Sequence, residues 1–457
     1  MVCLLSGIFQ WLFIWYLTMP VSNQRESLLD LLRIMACLLV VFHHAAIALI
    51  FGEDGEVVTP ILVQIQSSII WLTSIGQGTP VFFVLAGWLV MNTLEKTDGS
   101  RKVIIDSFNR RMKRILPPYW LSLGLIVLLF FVMDLYDLKT YYSGAYSAEF
   151  KSPSELTFWQ WAGNITLTET WRSLYTADEQ IVFTRSAWAL CYHEQFVAIA
   201  FLIALIAGKK WRQVLLPFTF LIIGWQILLY DSGSFHRAEG LFVDRWFCFA
   251  AGILAFQIKR AHTSQSMKQL YFVVLLAGLI TGMIIADAEL FLSSSAAILI
   301  VTYTDIFQRN CPDHIAEKLA KFSPWTYFIY LAHFPAVTIC NRIMVEAGIR
   351  HFWARSFLLL PVSTLVGITA GLLFGQFVRW LERTEIQSIL TISECKRLIA
   401  KSHPLLRRIW REVAERPILL PSWNLFPRPG QAGDFAPLAS ARVHALSDQT
   451  PWPTAAP

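Results

Sequence analysis

Apolar residues in this chain fall into long runs separated by short polar stretches. A helix that crosses a membrane needs about 20 mostly apolar residues. Runs near that length lie at roughly 28–51, 79–94, 117–136, 187–207, 212–230, 240–257, 268–286, 288–307, 324–341 and 356–380. The run at 79–94 is short. The stretch 56–78 is half polar (Gln64, Gln66, Ser67, Ser68) and reads as an outer-face amphipathic or re-entrant piece. The pattern predicts an all-α fold, a polytopic membrane bundle of about ten transmembrane helices.

Charge sets the expected orientation, because Lys and Arg collect in cytoplasmic loops. If the first run starts inside, the inner loops 95–116, 208–212, 258–269 and 308–323 hold 16 basic residues, and the outer loops 137–186, 231–239 and 341–355 hold 8. This places the N-terminal and C-terminal ends inside. Composition agrees with a membrane protein: of 457 residues, 55% are hydrophobic and only 15% charged, against roughly 25% charged in a soluble domain. Disorder, collagen and a small disulfide scaffold are excluded on the same grounds. The net charge of +6 belongs to the inner loops, so nucleic acid is not an expected partner. The 7 Cys are scattered, without a CxxC pair or zinc spacing, and no metal is expected.

Both ends differ from the middle. Residues 1–27 form an N-terminal segment whose first 18 positions are apolar but carry no Lys or Arg. A secretory signal normally has a basic start, so the expectation is a start at Met19, with an extra hydrophobic anchor as the alternative. The transmembrane domain covers 28–382. The tail, 383–457, begins basic (Lys396, Arg397, Lys401, Arg407, Arg408) and becomes Pro-rich (Pro417, Pro421, Pro427, Pro429). It is expected to be cytoplasmic and partly disordered.

Ionisable groups inside a membrane span are costly and mark candidate function. The first run reads LLDLLRIMACLLVVFHH. Arg33 and His44 are eleven positions apart, which brings them to one helix face with roughly 16 Å of rise between them. A cation at the inner end suits a phosphate-bearing donor. An imidazole further out suits proton transfer. The structural alternative is an Arg that snorkels and a His bonded within the bundle. In FNRRMKRILPPYW, Arg111 and Arg114 are three apart and form a cationic site with Arg110 and Lys113. Arg forks match phosphate oxygens, although a positive-inside stop explains them as well. In SAWALCYHEQF, His193 and Glu194 sit at the start of the fourth run. They suit a proton relay, or interface anchoring beside Trp188 and Tyr192. Gly87 in the second run reads as a close-approach residue. Tyr327, Tyr330 and His333 line one broad face, as packing or as pocket.

In this order, these segments resemble the acyltransferase-3 family of membrane O-acyltransferases. Asp30-x-x-Arg33 followed by His44 is similar to the family's opening D-x-L-R…H pattern. VFFVLAGWL is similar to its FF-x-x-SG segment, with Ala86 where Ser is usual. Arg111-x-x-Arg114-Ile-x-Pro117 is similar to R-x-x-R-I-x-P. Trp188-Ala-Leu190 through Glu194-Gln-Phe196 is similar to W-S-L-x-x-E-E-Q-F. Tyr327 through His333 is similar to S-Y-x-x-Y-L-x-H. The likeness spans about 28–380. One departure is chemical: His193 stands at the first acidic position, and Ala189 replaces Ser.

The resemblance implies an enzyme that moves an acyl group, in the expected case acetyl, from cytoplasmic acyl-CoA to a hydroxyl of an extracytoplasmic glycan or related acceptor. It implies no bound cofactor, with acetyl-CoA or another acyl-CoA as co-substrate. The partners are the lipid bilayer, acyl-CoA and the acceptor. The location is multi-pass in the plasma or inner membrane of a bacterium. By this likeness His44 is the acid/base residue, with Glu194 and His193 assisting. Arg33, Arg111 and Arg114 bind the donor, and Asp30, His43, Trp188, Tyr327, Tyr330 and His333 line the substrate pocket. The layout requires the cations and the imidazole to belong to one path through the membrane. A transporter or exporter of a lipid-linked or polysaccharide substrate is the alternative. The absence of an internal repeat counts against it.

Overall fold

The computed structural model describes residues 26–50, 78–142, 150–176, 178–231, 240–349 and 354–383. The N-terminal segment through Arg25, the stretch 51–77 that includes most of the half-polar piece, and the tail from 384 lie outside the described residues. Every regular element among the described residues is helical. The long helices are α1 (Ser27–Ile50), α2 (Thr79–Glu95), α3 (Arg101–Leu135), α6 (Ala187–Ala207), α7 (Trp211–Asp231), α8 (Phe242–Lys259), α9 (Gln265–Ile284), α10 (Ala288–Asn310), α12 (Trp325–Glu346) and α13 (Leu360–Arg383). The shorter ones are α4 (Phe158–Thr166), α5 (Glu169–Arg172) and α11 (Asp313–Phe322).

By length and composition, 7 stretches among the described residues can cross a membrane: Ser27–Ala46, Arg101–Leu135, Ala187–Leu228, Gln265–Ile284, Ala288–Asn310, Trp325–Glu346 and Ser356–Leu381. The third of these contains two helices, α6 and α7, divided at Gly208. Its φ of +55° suits a residue without a Cβ.

Helix boundaries follow the apolar runs, with two informative differences. α3 begins at Arg101 rather than near 117. Residues 101–116 contain no Gly or Pro, and the Arg, Lys, Met and Leu among them favour a helix; an apolar-run criterion sees only the lipid-compatible half. Pro117 and Pro118 lie inside α3 and remove two backbone donors, yet the helix runs through them. At the other end of the chain, the expected single helix from 356 opens instead with a π-helical turn, Arg355–Leu359. Local caps do ordinary work elsewhere: the Ser264 side chain accepts from Met267 N at the start of α9, and Asp287 accepts from Leu290 N at the start of α10.

α2 forms the centre of the bundle. It packs against α1, α6, α8 and α10, and most of its side chains are buried. Two glycines permit the crossing with α8. A Cβ on Gly87 would lie 2.1 Å from the Phe249 carbonyl oxygen, and one on Gly252 would lie 1.9 Å from that of Val84. The two backbones therefore touch, and neither position has room for a methyl group.

The stretch 150–186 does not ride over the bundle as a loop. Near its entry, Ser152 Oγ donates to Asp134 Oδ2, close to the end of α3. Further along, Tyr119 Oη donates to the Asn164 carbonyl at 2.6 Å, and Trp120 Nε1 donates to that of Ile165 at 2.9 Å. Tyr119 precedes the end of α3 by 16 residues, so the segment descends beside α3 by roughly 24 Å. Its polar core keeps it folded. Arg172 makes a bidentate pair with buried Glu169, and Glu169 also accepts from Ile181 N. Asn164 Oδ1 accepts from Phe183 N, and its Nδ2 donates to the Ile181 carbonyl. The segment ends at Ser186, whose carbonyl accepts from the Tyr330 hydroxyl.

Candidate active site

The face of α1 that carries Arg33 and His44 lies along α12. Arg33 Nη1 donates to Ser323 Oγ at 2.8 Å, just before α12 begins, and is 3.4 Å from Asp30 Oδ1. Cys37 Sγ donates to the Thr326 carbonyl. His44 Nδ1 is 2.9 Å from Nε2 of His333. Eleven residues of α1 thus match ten of the chain from Ser323 to His333, and the two segments run side by side. Between the charged end and the imidazole the α1 face is filled by Cys37, Val40 and Val41, all buried. Over this stretch the expected path is a packed seam.

A charged cluster marks the Arg33 end. Arg111 Nη2 donates to Glu194 Oε1 at 2.8 Å and lies 2.7 Å from His193 Nδ1. The same His193 Nδ1 lies 2.9 Å from Glu194 Oε1. A guanidinium can only donate and a carboxylate can only accept, so Arg111 and Glu194 both converge on this nitrogen, one from each side of the hydrogen bond. Arg33 is near enough to His193 to act on it electrostatically, so the two arginines face one group. Tyr327 borders the same cluster and donates to the Ile115 carbonyl at 2.9 Å. Within this cluster Arg111 Nε and Glu194 Oε2 are buried without a hydrogen-bond partner. Arg114, by contrast, points outward and is exposed, as are Arg110 and Lys113.

A second centre surrounds the imidazole. The His44 ring packs against Phe334 edge-on at 4.6 Å between centroids, with the His43 ring at 5.4 Å. His333 is fully buried. Its Nδ1 lies 3.0 Å from the Ile329 carbonyl oxygen and 2.9 Å from that of Tyr330. Tyr330 ties this turn of α12 to Ser186, and neighbouring Arg185 acts electrostatically on His44. The descending segment thus brings a cation to the imidazole.

The sequence-derived residues therefore divide into three groups. Arg33, Asp30, Arg111, His193, Glu194 and Tyr327 gather at the charged cluster. His44, His43, His333 and Tyr330 gather at the imidazole. Arg114 and Trp188 belong to neither. Trp188 lies under the Arg245 guanidinium at 4.8 Å. Arg245 pairs with Glu289 at 2.8 Å and lies 3.3 Å from Asp244. Asp244 accepts from the Tyr192 hydroxyl.

Sequence reasoning passed over Arg185, Ser323 and this Asp244–Arg245–Glu289 network. The signal for the network was present, because all three charges sit in or at the edge of predicted spans. Ser323 and Arg185 carried no such signal. Among the described residues no group of three or more His, Cys, Asp or Glu is arranged to hold a metal ion.

A family model described as an acyltransferase domain, that of the acyltransferase-3 family, matches residues 27–374. No curated protein and no solved structure matches the chain.

Proposed function

The chain belongs to the acyltransferase-3 family, and we propose that it is an O-acyltransferase carrying an acyl group from cytoplasmic acyl-CoA to a hydroxyl of an extracytoplasmic glycan. An integral membrane acyltransferase is the coarser statement that its helices and its family already support. The finer reading adds ten spans with both ends inside, a bacterial inner membrane, and acetyl as the group moved.

One observation carries it. A single face of α1 holds a cation in a polar cluster at one end and an imidazole at the other, the first bonded to Ser323 just before α12 and the second to His333 on α12. In this reading Arg33 and the exposed basic residues of α3 draw the anionic donor to the inner side. His44 removes the proton from the acceptor hydroxyl as its oxygen attacks the thioester carbonyl. The new C–O bond forms, the C–S bond breaks, and the leaving thiolate takes the proton from the imidazolium. Because Cys37, Val40 and Val41 fill the α1 face between the two ends, Arg33 serves the donor's phosphates at its own end, and the acyl end reaches His44 by a route other than this face.

The test is the mass of cell-surface glycan from cells with and without the protein, together with labelled acyl-CoA supplied to inverted membrane vesicles. Label recovered as an acyl ester on glycan supports the reading. Glycan that crosses the membrane unmodified would instead indicate an exporter.

A further inference from the structure

The two histidines share one hydrogen bond, and the outer partners of His333 decide which way it points. A backbone carbonyl can only accept. With two carbonyl oxygens at 2.9 and 3.0 Å, His333 Nδ1 must carry a hydrogen. The opposite neutral tautomer would aim a lone pair at both oxygens inside a buried site, where an unmade hydrogen bond is costly. Neutral His333 therefore presents a lone pair at Nε2. The contact at 2.9 Å is then a hydrogen bond from His44 Nδ1–H, and the free lone pair of His44 is on Nε2.

We propose that His333 is a positioning residue for the transfer reaction, one that holds His44 in the Nδ1–H tautomer and aims its Nε2 lone pair at the acceptor hydroxyl. This rests on the acyltransferase reading above, and adds to it a residue that need not touch substrate. The logic is that of a base held by a buried orienting group, with a second imidazole in the place of the usual carboxylate.

The proton moves as follows. As the acceptor oxygen attacks, its hydrogen passes to His44 Nε2, and the ring becomes an imidazolium with both nitrogens protonated. The Nδ1–H still points at His333 Nε2, whose lone pair stabilises the new charge. When the C–S bond breaks, the Nε2 proton goes to the thiolate, and both rings return to their starting tautomers. The surroundings keep this geometry. Phe334 packs edge-on against the His44 ring. Gly367 of α13 lets that helix close behind His333, since a Cβ there would lie 3.3 Å from the His333 Cβ. The titratable and charged neighbours of His44 are His43 on its own helix, His333 on α12 and Arg185 from the descending segment.

The test compares full-length His333→Phe and His333→Gln with wild type, using labelled acyl-CoA in membranes. Phe fills the space but accepts no hydrogen bond. Gln supplies a carbonyl that can accept from His44 Nδ1–H. We expect His333→Phe to lower kcat by about 100-fold or more with little change in the KM for donor, and His333→Gln to recover most of the loss. Wild-type kcat in His333→Phe, or equal losses in both variants at equal protein levels, would overturn the proposal. Nitrogen-15 spectra of wild-type protein with labelled histidine give a readout that does not depend on a variant folding. His44 should be protonated at Nδ1, and protonation at Nε2 alone would overturn it too. Retained activity in His44→Ala would defeat the underlying reaction scheme, an outcome distinct from loss in His44→Ala alongside an unaffected His333→Phe.

Discussion

Arg111 on α3 donates to Glu194 on α6 across 2.8 Å, with both side chains largely buried. Removing one member of a buried ion pair leaves the other charge uncompensated, at a cost of about 3–5 kcal/mol. Arg111→Ala is therefore expected to lower the melting temperature of the detergent-solubilised protein. The double variant Arg111→Ala with Glu194→Ala should be less damaged than the sum of its singles. Strict additivity in that cycle would mean the pair is not coupled.

Arg114 lies three residues from Arg111 yet faces outward. The two should separate experimentally. Arg114→Ala is expected to raise the apparent KM for acyl-CoA several-fold and leave the melting temperature unchanged, because an exposed charge contributes little to stability. A destabilised Arg114→Ala with normal donor affinity would remove it from donor binding.

His44→Ala should abolish transfer of labelled acyl groups to glycan while the protein reaches the membrane in normal amounts. The expected loss is 100-fold or more, the scale of general-base catalysis, roughly 10²–10⁴. Transfer at the wild-type rate would take His44 out of the reaction.

His193 stands where the motif that this segment resembles has an acid, and its Nδ1 lies 2.7 Å from Arg111 Nη2 and 2.9 Å from Glu194 Oε1. A carboxylate here can accept from Arg111, and Arg111 and Arg33 together offset its repulsion from Glu194, so His193→Glu should keep the melting temperature within a few degrees and retain transfer. His193→Lys places a third cation beside Arg111 and Arg33, and should lose both. Equal behaviour of the two variants would show that the charge at this position is immaterial.

Gly87 meets the Phe249 carbonyl with no space for a methyl group. Gly87→Ala should push α2 from α8 at a cost of about 1–3 kcal/mol, seen as a lower melting temperature. Gly124 on α3 has nothing within 4 Å of its would-be Cβ, so Gly124→Ala serves as a neutral control. Equal effects at the two glycines would argue against the close crossing.

Helix positions were legible because burial in lipid or protein demands continuous apolar runs, and α6 begins and ends where its run does. The polar half of α3 was not legible by that rule, since the apolar residues of 101–116, such as Ile104, Phe108 and Met112, are interrupted by charges and form no continuous run. The shared face of Arg33 and His44 follows from helical period alone. What faces it does not, and the bond from His44 to His333 joins positions 289 apart in the chain. The descending segment 150–186 was hardest to see. It lacks a long apolar run, and satisfies Asn164, Glu169 and Arg172 by contacts between short pieces.

α2 has 17 residues, so it spans roughly 25 Å, short of the roughly 30 Å hydrocarbon layer. Ringed by α1, α6, α8 and α10, it meets other helices where an outer helix would meet lipid. Stretching or thinning of the host bilayer falls on the outer helices, while the glycine crossing at its middle keeps its own measure. The spacing from Arg33 to His44 is set by the rise of α1, which is bonded at both ends to the Ser323–His333 stretch and packs on this ringed helix, so a change in bilayer thickness is expected to leave that spacing unaltered.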